Sequence, residues 1–482
     1  MTTHVSHIVF TDARAYKLKR PVRLPFVDLS VAPLRDAVLR EELRLNRRLA
    51  PDVYLGVEPV DDAEPYEPVL VMRRLPDDRR LAAVVATGGG RECCTAVART
   101  LAAFHAEARR GPEIDARATR DAVLELWRAG FAQWSPFVGD VLERGVVDEV
   151  ERRAEAFLQG REPLFAARIA DHRVVDGHGD LLTDDIFCLD DGPRLLDCLE
   201  FDPGLRAGDV LADAAFCAMD LERLGRPDLA ARFLAEVQAL ELDDAPSSLA
   251  HHYVAYRAHV RAKIACIRTR SGDPGARHEA AQLLAIARSH LRSAQIRLVL
   301  VGGLPATGKT TLGALLAEQL DAEHLRSDVV RKTRAGVVPT DSARAPFGGG
   351  IYSPARTADA YAALVDIARE HLEHGRSVVI DASFADARHR NLGRALARDT
   401  ASELSELQCD APREIVTARL AARAARRDDA SDADAAVRDA MAQVFDEWPE
   451  ATRVDTTNGA GAALPGLAEW LGFDVRPHSM QS

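Results

Sequence analysis

The sequence contains very little lysine for its length. Of its 62 basic side chains only five are Lys, and these are Lys17, Lys19, Lys263, Lys309 and Lys332. Most surface positions accept Arg or Lys, so the remaining Lys residues are enriched for places that need a compact ammonium. Asn is rarer still, and occurs as Asn46, Asn391 and Asn458. An Asp where a motif usually carries Asn is therefore less surprising in this chain.

Long apolar runs and paired cysteines are also missing. No stretch approaches the ~18 uninterrupted apolar residues of a membrane-spanning helix, and no signal-peptide pattern is present. The seven Cys are odd in number and lack a C-x-x-C pair, so we expect reduced thiols and a cytosolic location. The histidine pairs, such as His251 and His252, lack metal-ligand spacing, so no zinc site is predicted.

The balance of charges is acidic. The formal net charge is 62 − 74 = −12, which disfavours a general affinity for nucleic-acid backbones or anionic membranes. A length of 482 residues predicts two or three domains, and 47% hydrophobic residues are typical of a globular protein. The oligomeric state is left open.

A complete phosphate-binding loop lies in the C-terminal part. The segment "GLPATGKTT" satisfies G-x-x-x-x-G-K-[ST], follows an apolar run and precedes the helical pattern "TLGALLAEQL". Glycines in such a loop let backbone N–H groups turn towards phosphate oxygens at a helix N-terminus. We predict that Lys309 reaches the β- and γ-phosphates of ATP and that Thr310 ligates Mg²⁺. The predicted nucleotide-binding residues are Gly303, Thr307, Gly308, Lys309, Thr310 and Thr311.

The residues after the neighbouring strands indicate transfer rather than hydrolysis. The apolar run "SVVIDAS" ends in Asp381, a candidate metal ligand, and Ala382 follows where ATP-driven motors usually carry a Glu. In "RSDVVRK", Asp328 is a candidate base, although it could instead cap a helix. Arg331, with Lys332 as a further candidate, is predicted to hold the acceptor or the transferred group.

Two further arginines complete this set. Arg419 and Arg423 in "RLAARAARR" share one helical face, as a lid closing on phosphates would require, although a solvated face is the alternative. Together, these motifs resemble the P-loop kinases of the zeta-toxin, polynucleotide-kinase and chloramphenicol-phosphotransferase group over about 296–455. The resemblance implies phosphorylation of a hydroxyl and names no acceptor.

A second set of kinase-like residues lies upstream. In "HGDLLTDDIF", Asp180 is the candidate catalytic base and Asp185 the first metal ligand, and Asp197 is the second metal ligand. Lys17 matches the strand lysine that holds the α- and β-phosphates, with Lys19 as the alternative. Its helix partner is predicted to be Glu42, with Glu41 also possible.

This order of motifs resembles the aminoglycoside-phosphotransferase branch of the kinase fold. With "DVLADAAFCAMDLE" and "HHYVAYRAHVRAK" downstream, the chain is similar to bifunctional fusions of such a domain with a P-loop ATP-binding domain, over nearly all of 1–460. Asp185 departs from the usual Asn, yet a carboxylate is a good ligand for Mg²⁺. Arg257 and Arg261 share a helical face and could bind an acidic substrate group, meet the P-loop domain, or pair with carboxylates.

The predicted fold is therefore a two-lobed α+β protein-kinase-like domain followed by an α/β three-layer P-loop domain with a parallel sheet. The expected boundaries are 1–85 for the N-lobe, 86–292 for the C-lobe and 293–482 for the P-loop domain. The leading hypothesis is a two-site MgATP-dependent kinase of small-molecule hydroxyls. The alternatives are a nucleotide-sensing N-terminal regulator beside one working P-loop kinase, and a 5′-end nucleic-acid kinase.

Overall fold

The computed structural model describes residues 6–24, 27–60, 66–338, 340–341, 343, 345, 347–426 and 433–471. The chain forms two compact units. The first consists of Met1–Glu155 and Phe165–Ala294, and the second consists of Ala156–Leu164 and Gln295–Ser482. The short segment Ala156–Leu164 groups with the second unit, where Arg161 Nη1 donates to the Thr400 carbonyl at 2.6 Å.

The first unit begins with an antiparallel sheet and one helix, which we call the N-lobe. The sheet has the strand order β1-β2-β6-β5, and Ile8 on β1 pairs with Lys17 on β2. The helix α1 starts next to Pro33, whose fixed φ suits a first helical turn. The N-lobe elements are β1 (Ser6–Phe10), β2 (Arg14–Lys19), β3 (Arg23–Leu24), β4 (Val27–Asp28), α1 (Ala32–Asn46), β5 (Tyr54–Pro59) and β6 (Pro68–Arg73).

The chain between residues 81 and 293 is mainly helical. Helix α9 is buried along almost its whole length, and helices α10, α11 and α12 pack around it. The helices are α2 (Leu81–Ala86), α3 (Arg91–Glu107), α4 (Pro112–Asp115), α5 (Arg120–Trp134), α6 (Arg144–Leu158), α7 (Glu162–Ala170), α8 (Pro203–Arg206), α9 (Val210–Arg223), α10 (Pro227–Glu241), α11 (Ser247–Arg270) and α12 (Ala276–Ser293). The short strands are β7 (Val174–Asp176), β8 (Ile186–Leu189), β9 (Gly192–Leu195) and β10 (Ala207–Asp209).

The second unit contains a five-stranded parallel sheet in the order β12-β13-β11-β14-β15. Its strands are β11 (Arg297–Gly302), β12 (Ala322–Arg326), β13 (Ser377–Asp381), β14 (Glu403–Asp410) and β15 (Thr452–Asp455). Its helices are α13 (Lys309–Leu320), α14 (Ser327–Arg334), α15 (Pro354–Glu373), α16 (Ala387–Asp399), α17 (Arg413–Arg426), α18 (Ala435–Ala442) and α19 (Ala460–Leu471). The predicted fold class is confirmed for both units, and the sheet gathers the ends of β11, β12 and β13 at one edge.

The expectation that all thiols are reduced is wrong for one pair. Cys93 on α3 and Cys188 on β8 form a disulfide, with their Cα atoms 5.8 Å apart. The two residues are 95 positions apart in sequence, so only the folded chain brings them together. The free cysteines are the buried residues Cys94, Cys198, Cys217, Cys266 and Cys409.

None of the described helices is both long enough and apolar enough to cross a membrane. In α11, the longest of them, arginines, a lysine and histidines are spread along the helix.

Candidate active sites

The phosphate-binding loop connects β11 to α13. Gly303 and Gly308 adopt φ values of +133° and +92°, which L side chains rarely adopt. A Cβ at Gly303 would also lie 2.5 Å from the Cys409 carbonyl oxygen, so this turn requires glycine. The loop ends where Lys309 begins α13, and a helix N-terminus of this kind favours anions.

The predicted nucleotide and metal ligands lie together in this loop. Thr310 Oγ1 donates to Asp381 Oδ2 at 2.6 Å, which links the loop to the end of β13. Lys309 Nζ donates to the Leu304 carbonyl at 2.8 Å, and the Thr307 hydroxyl donates to the same oxygen at 2.8 Å. The hydroxyl and carboxylate oxygens at Thr310 and Asp381 are hard ligands of the type that Mg²⁺ prefers.

A cavity of about 1070 Å³ opens beside the loop. Asp328 and Arg331 line it from α14, as the sequence predicts, and Arg331 Nη1 donates to Thr357 Oγ1 at 2.8 Å. Lys332 is instead fully buried, and its Nζ donates to the Asp341 carbonyl at 2.8 Å. The structure thus uses Lys332 in a loop contact and leaves Arg331 at the cavity.

Arg419 reaches the phosphate-binding loop from α17. Its Nη1 lies 3.1 Å from Thr456 Oγ1 and 3.5 Å from the Ala306 carbonyl, and Thr456 in turn donates to the Thr307 carbonyl at 2.6 Å. The side chain of Arg423, the other predicted lid residue, lies outside the described part of the chain. Thr456 carries no sequence signal, because a lone Thr after a short strand has no motif.

Two aromatic rings form a further part of the cavity wall that the sequence does not predict. Tyr361 and His389 stack with centroids 3.8 Å apart and planes within 2°. The Tyr361 hydroxyl accepts from the Phe384 backbone N–H at 3.0 Å. Burial lowers the pKa of His389, and Arg388 and Arg331 act in the same direction while Asp386 opposes them. The shift favours the neutral form of the imidazole at the cavity wall.

The second candidate site lies in the first unit, around Lys17. Lys17 Nζ contacts Glu42 Oε1 at 2.7 Å and Asp197 Oδ1 at 2.8 Å. Lys19 Nζ contacts the other Glu42 oxygen at 2.8 Å and Glu200 at 2.8 Å. Burial alone would lower the pKa of Lys17, but the Asp197 and Glu42 carboxylates raise it well above its ordinary value. The fully buried Glu42 thus joins both strand lysines.

The helix partner of Lys17 is Glu42 and not the alternative Glu41. Glu41 pairs with Arg44 on the surface of α1, at 2.6 Å. The difference follows from helix geometry, because adjacent residues on a helix point about 100° apart.

The candidate catalytic-loop segment, residues 178–187, is held by a buried carboxylate that the sequence did not single out. Asp213 on α9 accepts from the backbone N–H groups of His178 and Gly179, both at 2.8 Å, and contacts His105 Nε2 at 3.0 Å. Glu241 contacts the other His105 ring nitrogen at 2.7 Å. Burial opposes protonation of His105, yet the two carboxylates raise its pKa to about 9.

A second carboxylate of α9 holds the next part of the loop. Asp220 accepts from the Thr183 backbone N–H at 2.9 Å and from the Thr183 hydroxyl at 2.5 Å. Asp213 and Asp220 are two turns apart, so one face of α9 fixes both ends of the segment that carries Asp180. This spacing in "DVLADAAFCAMDLE" was the available sequence signal.

Asp180, Asp185 and Asp197 lie close enough for their charges to interact. Burial raises the pKa of Asp185 well above its ordinary value, and the charges of Asp197 and Asp180 raise it further. Burial also raises the pKa of Asp180, while Arg261 opposes the shift. Asp197 has a left-handed backbone with φ of 61°, and Tyr54 accepts from its N–H at 3.2 Å.

Mg²⁺ fits the donor chemistry of both sites when it arrives with a nucleotide. Asp185 and Asp197 repel each other in the absence of a cation, and two carboxylates are suitable ligands for a hard cation. Within the described residues, no group of three or more His, Cys, Asp or Glu side chains could hold a metal ion by itself. Mg²⁺ beside a nucleotide is usually held by one or two carboxylates together with phosphate oxygens and water, and each candidate site offers such carboxylates.

Comparison with known proteins places the chain in a family. A family model described as an AAA domain matches residues 298–448. "Uncharacterized protein Rv2004c" of Mycobacterium tuberculosis and "Uncharacterized protein Mb2027c" of Mycobacterium bovis are each 40% identical over 457 residues, which cover 94% of this chain and 91% of the relative. The chain belongs to the same family as these mycobacterial proteins. The resemblance to a fusion of a kinase-like domain and a P-loop domain is confirmed.

Solved structures are similar to separate parts of the chain. A GDP complex of an aminoglycoside 2'-phosphotransferase is 14% identical, covers 60% of this chain and 91% of that chain, and has a TM-score of 0.37. An APS kinase of Mycobacterium tuberculosis with AMPPNP and APS is 19% identical, covers 37% of this chain and 98% of that chain, and has a TM-score of 0.29. A gluconokinase of Sinorhizobium meliloti is 14% identical, covers 36% of this chain and 91% of that chain, and has a TM-score of 0.28.

Proposed function

We propose that this protein is a phosphotransferase with two MgATP sites, each of which transfers a γ-phosphate to the hydroxyl of a small molecule. The observation that supports the proposal is that the predicted residues of each site lie close to one another. One set is the loop around Lys309 with Thr310 joined to Asp381 at 2.6 Å. The other is the Lys17–Glu42 pair beside Asp180, Asp185 and Asp197.

At the P-loop site, the chain would bind and orient both reactants. The backbone of Gly303–Gly308 and the Lys309 ammonium would hold the phosphates. Asp328 would accept the proton of the acceptor hydroxyl, and Arg331 and Arg419 would balance charge on the transferred group. Ala382, which is buried, provides no carboxylate to activate water at the end of β13. This favours a hydroxyl acceptor over hydrolysis.

At the N-terminal site, Asp180 would be the base. It would take the proton of the acceptor hydroxyl while the new O–P bond forms, the bond between the γ-phosphorus and its bridging oxygen breaks, and ADP leaves. Lys17 would hold the α- and β-phosphates, and Asp185 and Asp197 would hold Mg²⁺. When bound, Mg²⁺ would neutralise charge on the β- and γ-phosphates.

A second candidate function is favoured by one observation. Lys17 contacts Asp197 at 2.8 Å, so the phosphate-binding lysine and a metal ligand are paired with each other. Together with Asp185 in the usual Asn position, this is compatible with an N-terminal unit that senses a nucleotide without transferring phosphate. The P-loop unit would then be the only kinase.

The experiment that tests the proposal disables one site at a time. Lys309→Ala protein is incubated with γ-labelled MgATP and a fractionated small-metabolite extract, and labelled products are compared with those of Lys309→Ala combined with Asp180→Ala. Asp184→Asn in the Lys309→Ala background is the matched control, because Asp184 is an exposed neighbour on the same loop. We expect a labelled product that survives Asp184→Asn and disappears with Asp180→Ala.

The alternative predicts a different pattern. If Lys309→Ala protein labels nothing while Asp180→Ala alone still transfers phosphate, the N-terminal unit is a regulator. If neither single variant transfers phosphate to any fraction, the two-site proposal is wrong.

A further inference from the structure

Helix α11 brings Arg261 next to the candidate base of the N-terminal site, and Arg257 lies near it on the same helix. Arg261 Nη1 lies 3.9 Å from Asp180 Oδ2, which is too long for a hydrogen bond and leaves a loose ion pair. Arg257 lies one turn earlier on the same helix and also acts electrostatically on Asp180. Both side chains are partly shielded from solvent. The acceptor hydroxyl that Asp180 would deprotonate would therefore lie near Arg261, with Arg257 one helical turn away.

Arg257 is placed without a carboxylate of its own. Its Nε donates to the Ala212 carbonyl at 2.9 Å, and its guanidinium lies 4.2 Å from the centroid of the Phe216 ring and 5.6 Å from that of Tyr256. Among the described residues, no Asp or Glu lies within ion-pair distance of Arg257. Burial lowers its pKa, and the neighbouring charges, which include Asp213 and Asp180, offset that shift only in part.

Such an arrangement is costly unless a ligand supplies the missing anion. A guanidinium removed from water needs an opposite charge or several hydrogen-bond acceptors. Other shielded arginines of this unit have them: Arg168 is held by both Asp209 and Asp243, and Arg206 pairs with Asp176 at 2.5 Å. Arg257 differs from these, and it is beside the site where an acceptor would bind.

We propose that the acceptor of the N-terminal site carries an oxyanion group, a carboxylate or a phosphate, that Arg257 and Arg261 bind while its hydroxyl faces Asp180. This inference rests on the proposed function and adds the chemical class of its substrate. Two arginines one helical turn apart can each present paired N–H donors to oxyanion oxygens. The same pair repels a cationic polyamine, so an aminoglycoside does not suit this site.

The test uses Lys309→Ala protein, so that only the N-terminal site transfers label. A small-metabolite extract is first divided by anion exchange at pH 7 into a retained pool of anions and a flow-through of neutral and cationic compounds. Each pool is incubated with γ-labelled MgATP, with kanamycin and D-glucose as further separate acceptors. We expect an Asp180-dependent product from the retained pool and none from the flow-through, kanamycin or D-glucose.

Treatment of the retained pool with phosphatase before the reaction distinguishes the two sources of the anion. An acceptor that survives the treatment carries a carboxylate, and one that is lost carries a phosphate; both outcomes support the proposal. Asp180-dependent label only in the flow-through, kanamycin or D-glucose would overturn it and leave the proposed function intact. If no acceptor is labelled in any pool, this inference and the N-terminal half of the proposed function are both wrong.

Variants then assign the role to the two arginines. With the purified acceptor, Arg261→Gln and Arg257→Gln are expected to raise KM roughly 10- to 100-fold, the effect of losing a charge-assisted hydrogen bond. Arg261→Lys should restore part of the affinity, because it keeps the charge and loses the paired donors. Arg270→Gln, an exposed arginine near the end of the same helix, is the control and should leave KM unchanged.

Arg261 keeps the test valid if Arg257 cannot be replaced. Should Arg257→Gln protein fail to fold, Arg261→Gln decides alone, since its side chain is 24% exposed. An unchanged KM in folded Arg261→Gln protein would contradict the proposal.

Discussion

At the residue scale, Asp185 combines two opposing effects. It places a carboxylate at a position where related loops carry the neutral amide of Asn. Burial and the charges of Asp197 and Asp180 raise its pKa. A carboxyl whose pKa is raised on folding reduces stability at any pH above the ordinary Asp pKa. This cost is absent below that pKa and is complete once the pH exceeds the folded-state pKa. The same charge is useful when a cation is bound.

We therefore predict that Asp185→Asn stabilises the metal-free protein at pH 7 and weakens binding of MgATP. The melting temperature of the first unit should rise by roughly 2 °C, the shift that about 1 kcal/mol gives in a unit slightly above the 150–250-residue range. The gain should shrink as the pH is lowered towards 4. Thermal melts at pH 7 and pH 4, with and without MgATP, measure both effects. Asp184→Asn is the control, and a lower melting temperature for Asp185→Asn at pH 7 would contradict the argument.

The few lysines of the sequence point to residues that lie at the two candidate sites. Lys17 and Lys19 both contact the buried Glu42, and Lys309 begins α13 at the phosphate-binding loop. Lys332 has a different role, since it is buried and donates to a loop carbonyl. Three of the five lysines thus lie at the two candidate sites, where phosphate binding stays a prediction, and Lys332 shows that a buried ammonium can serve a loop contact instead.

At the element scale, α9 acts as the support of the catalytic-loop segment. Asp213 accepts two backbone N–H groups of that segment and contacts His105 of α3. A buried carboxylate with so many donors stabilises the folded state strongly, and removing its charge leaves donors without a partner.

Asp213→Asn should lower the free energy of unfolding of the first unit by about 3–5 kcal/mol, as breaking a buried charge pair does. It should also reduce phosphate transfer at the N-terminal site.

The His105 side chain makes the stability depend on pH. Because the pKa of His105 is raised to about 9, its contribution to stability is complete below the ordinary His pKa and is lost as the pH rises through about 9. Denaturation at pH 7 and pH 10 measures this loss. For the Asp213→Asn variant, the control is Asp121→Asn, which changes an exposed carboxylate. Equal stability of Asp213→Asn and wild type would refute the role of Asp213.

The disulfide between α3 and β8 can be tested by counting free thiols. The native chain holds seven Cys, of which five are free thiols. Titration of thiols in denatured, non-reduced protein should give five per chain, and seven after reduction. Reduction should destabilise the first unit by about 2–4 kcal/mol, because the bond closes a long loop. The stability of the Cys93→Ser variant should no longer depend on reductant. A count of five thiols both before and after reduction would be inconsistent with a reducible disulfide. A count of seven thiols without reductant would show that the bond is absent.

The two sites differ in how much of each the sequence predicts. The phosphate-binding loop is local, so Gly303–Thr311 and the following helix follow from spacing alone. Residues that act across long separations were missed: Thr456 under the loop, the Tyr361–His389 stack, and the bond between Cys93 and Cys188. Their partners are distant in sequence, and no local pattern marks such contacts. The choice of Glu42 over Glu41 likewise required the orientation of α1.

At the scale of the whole molecule, the two proposed nucleotide sites lie in one acidic chain and differ in architecture. The net charge of −12 gives neither site a generally attractive field for an anionic nucleotide. Under the proposal, affinity would come from local cations, namely Lys17 in the first unit and Lys309 in the second. Because each site depends on its own lysine, the two sites should be removable one at a time.

We predict that the wild-type chain binds two equivalents of MgATP, measured by isothermal titration calorimetry. Lys309→Ala and Lys17→Met should each leave one equivalent, since each removes the ammonium that holds the phosphates at one site, and the double variant should bind none. Arg270→Gln is the control and should retain both. If Lys17→Met still bound two equivalents, the N-terminal site would not depend on its strand lysine. If wild type bound a single equivalent that Lys309→Ala abolishes, nucleotide binding would belong to the P-loop unit alone, and the contact of Lys17 with Asp197 would be structural.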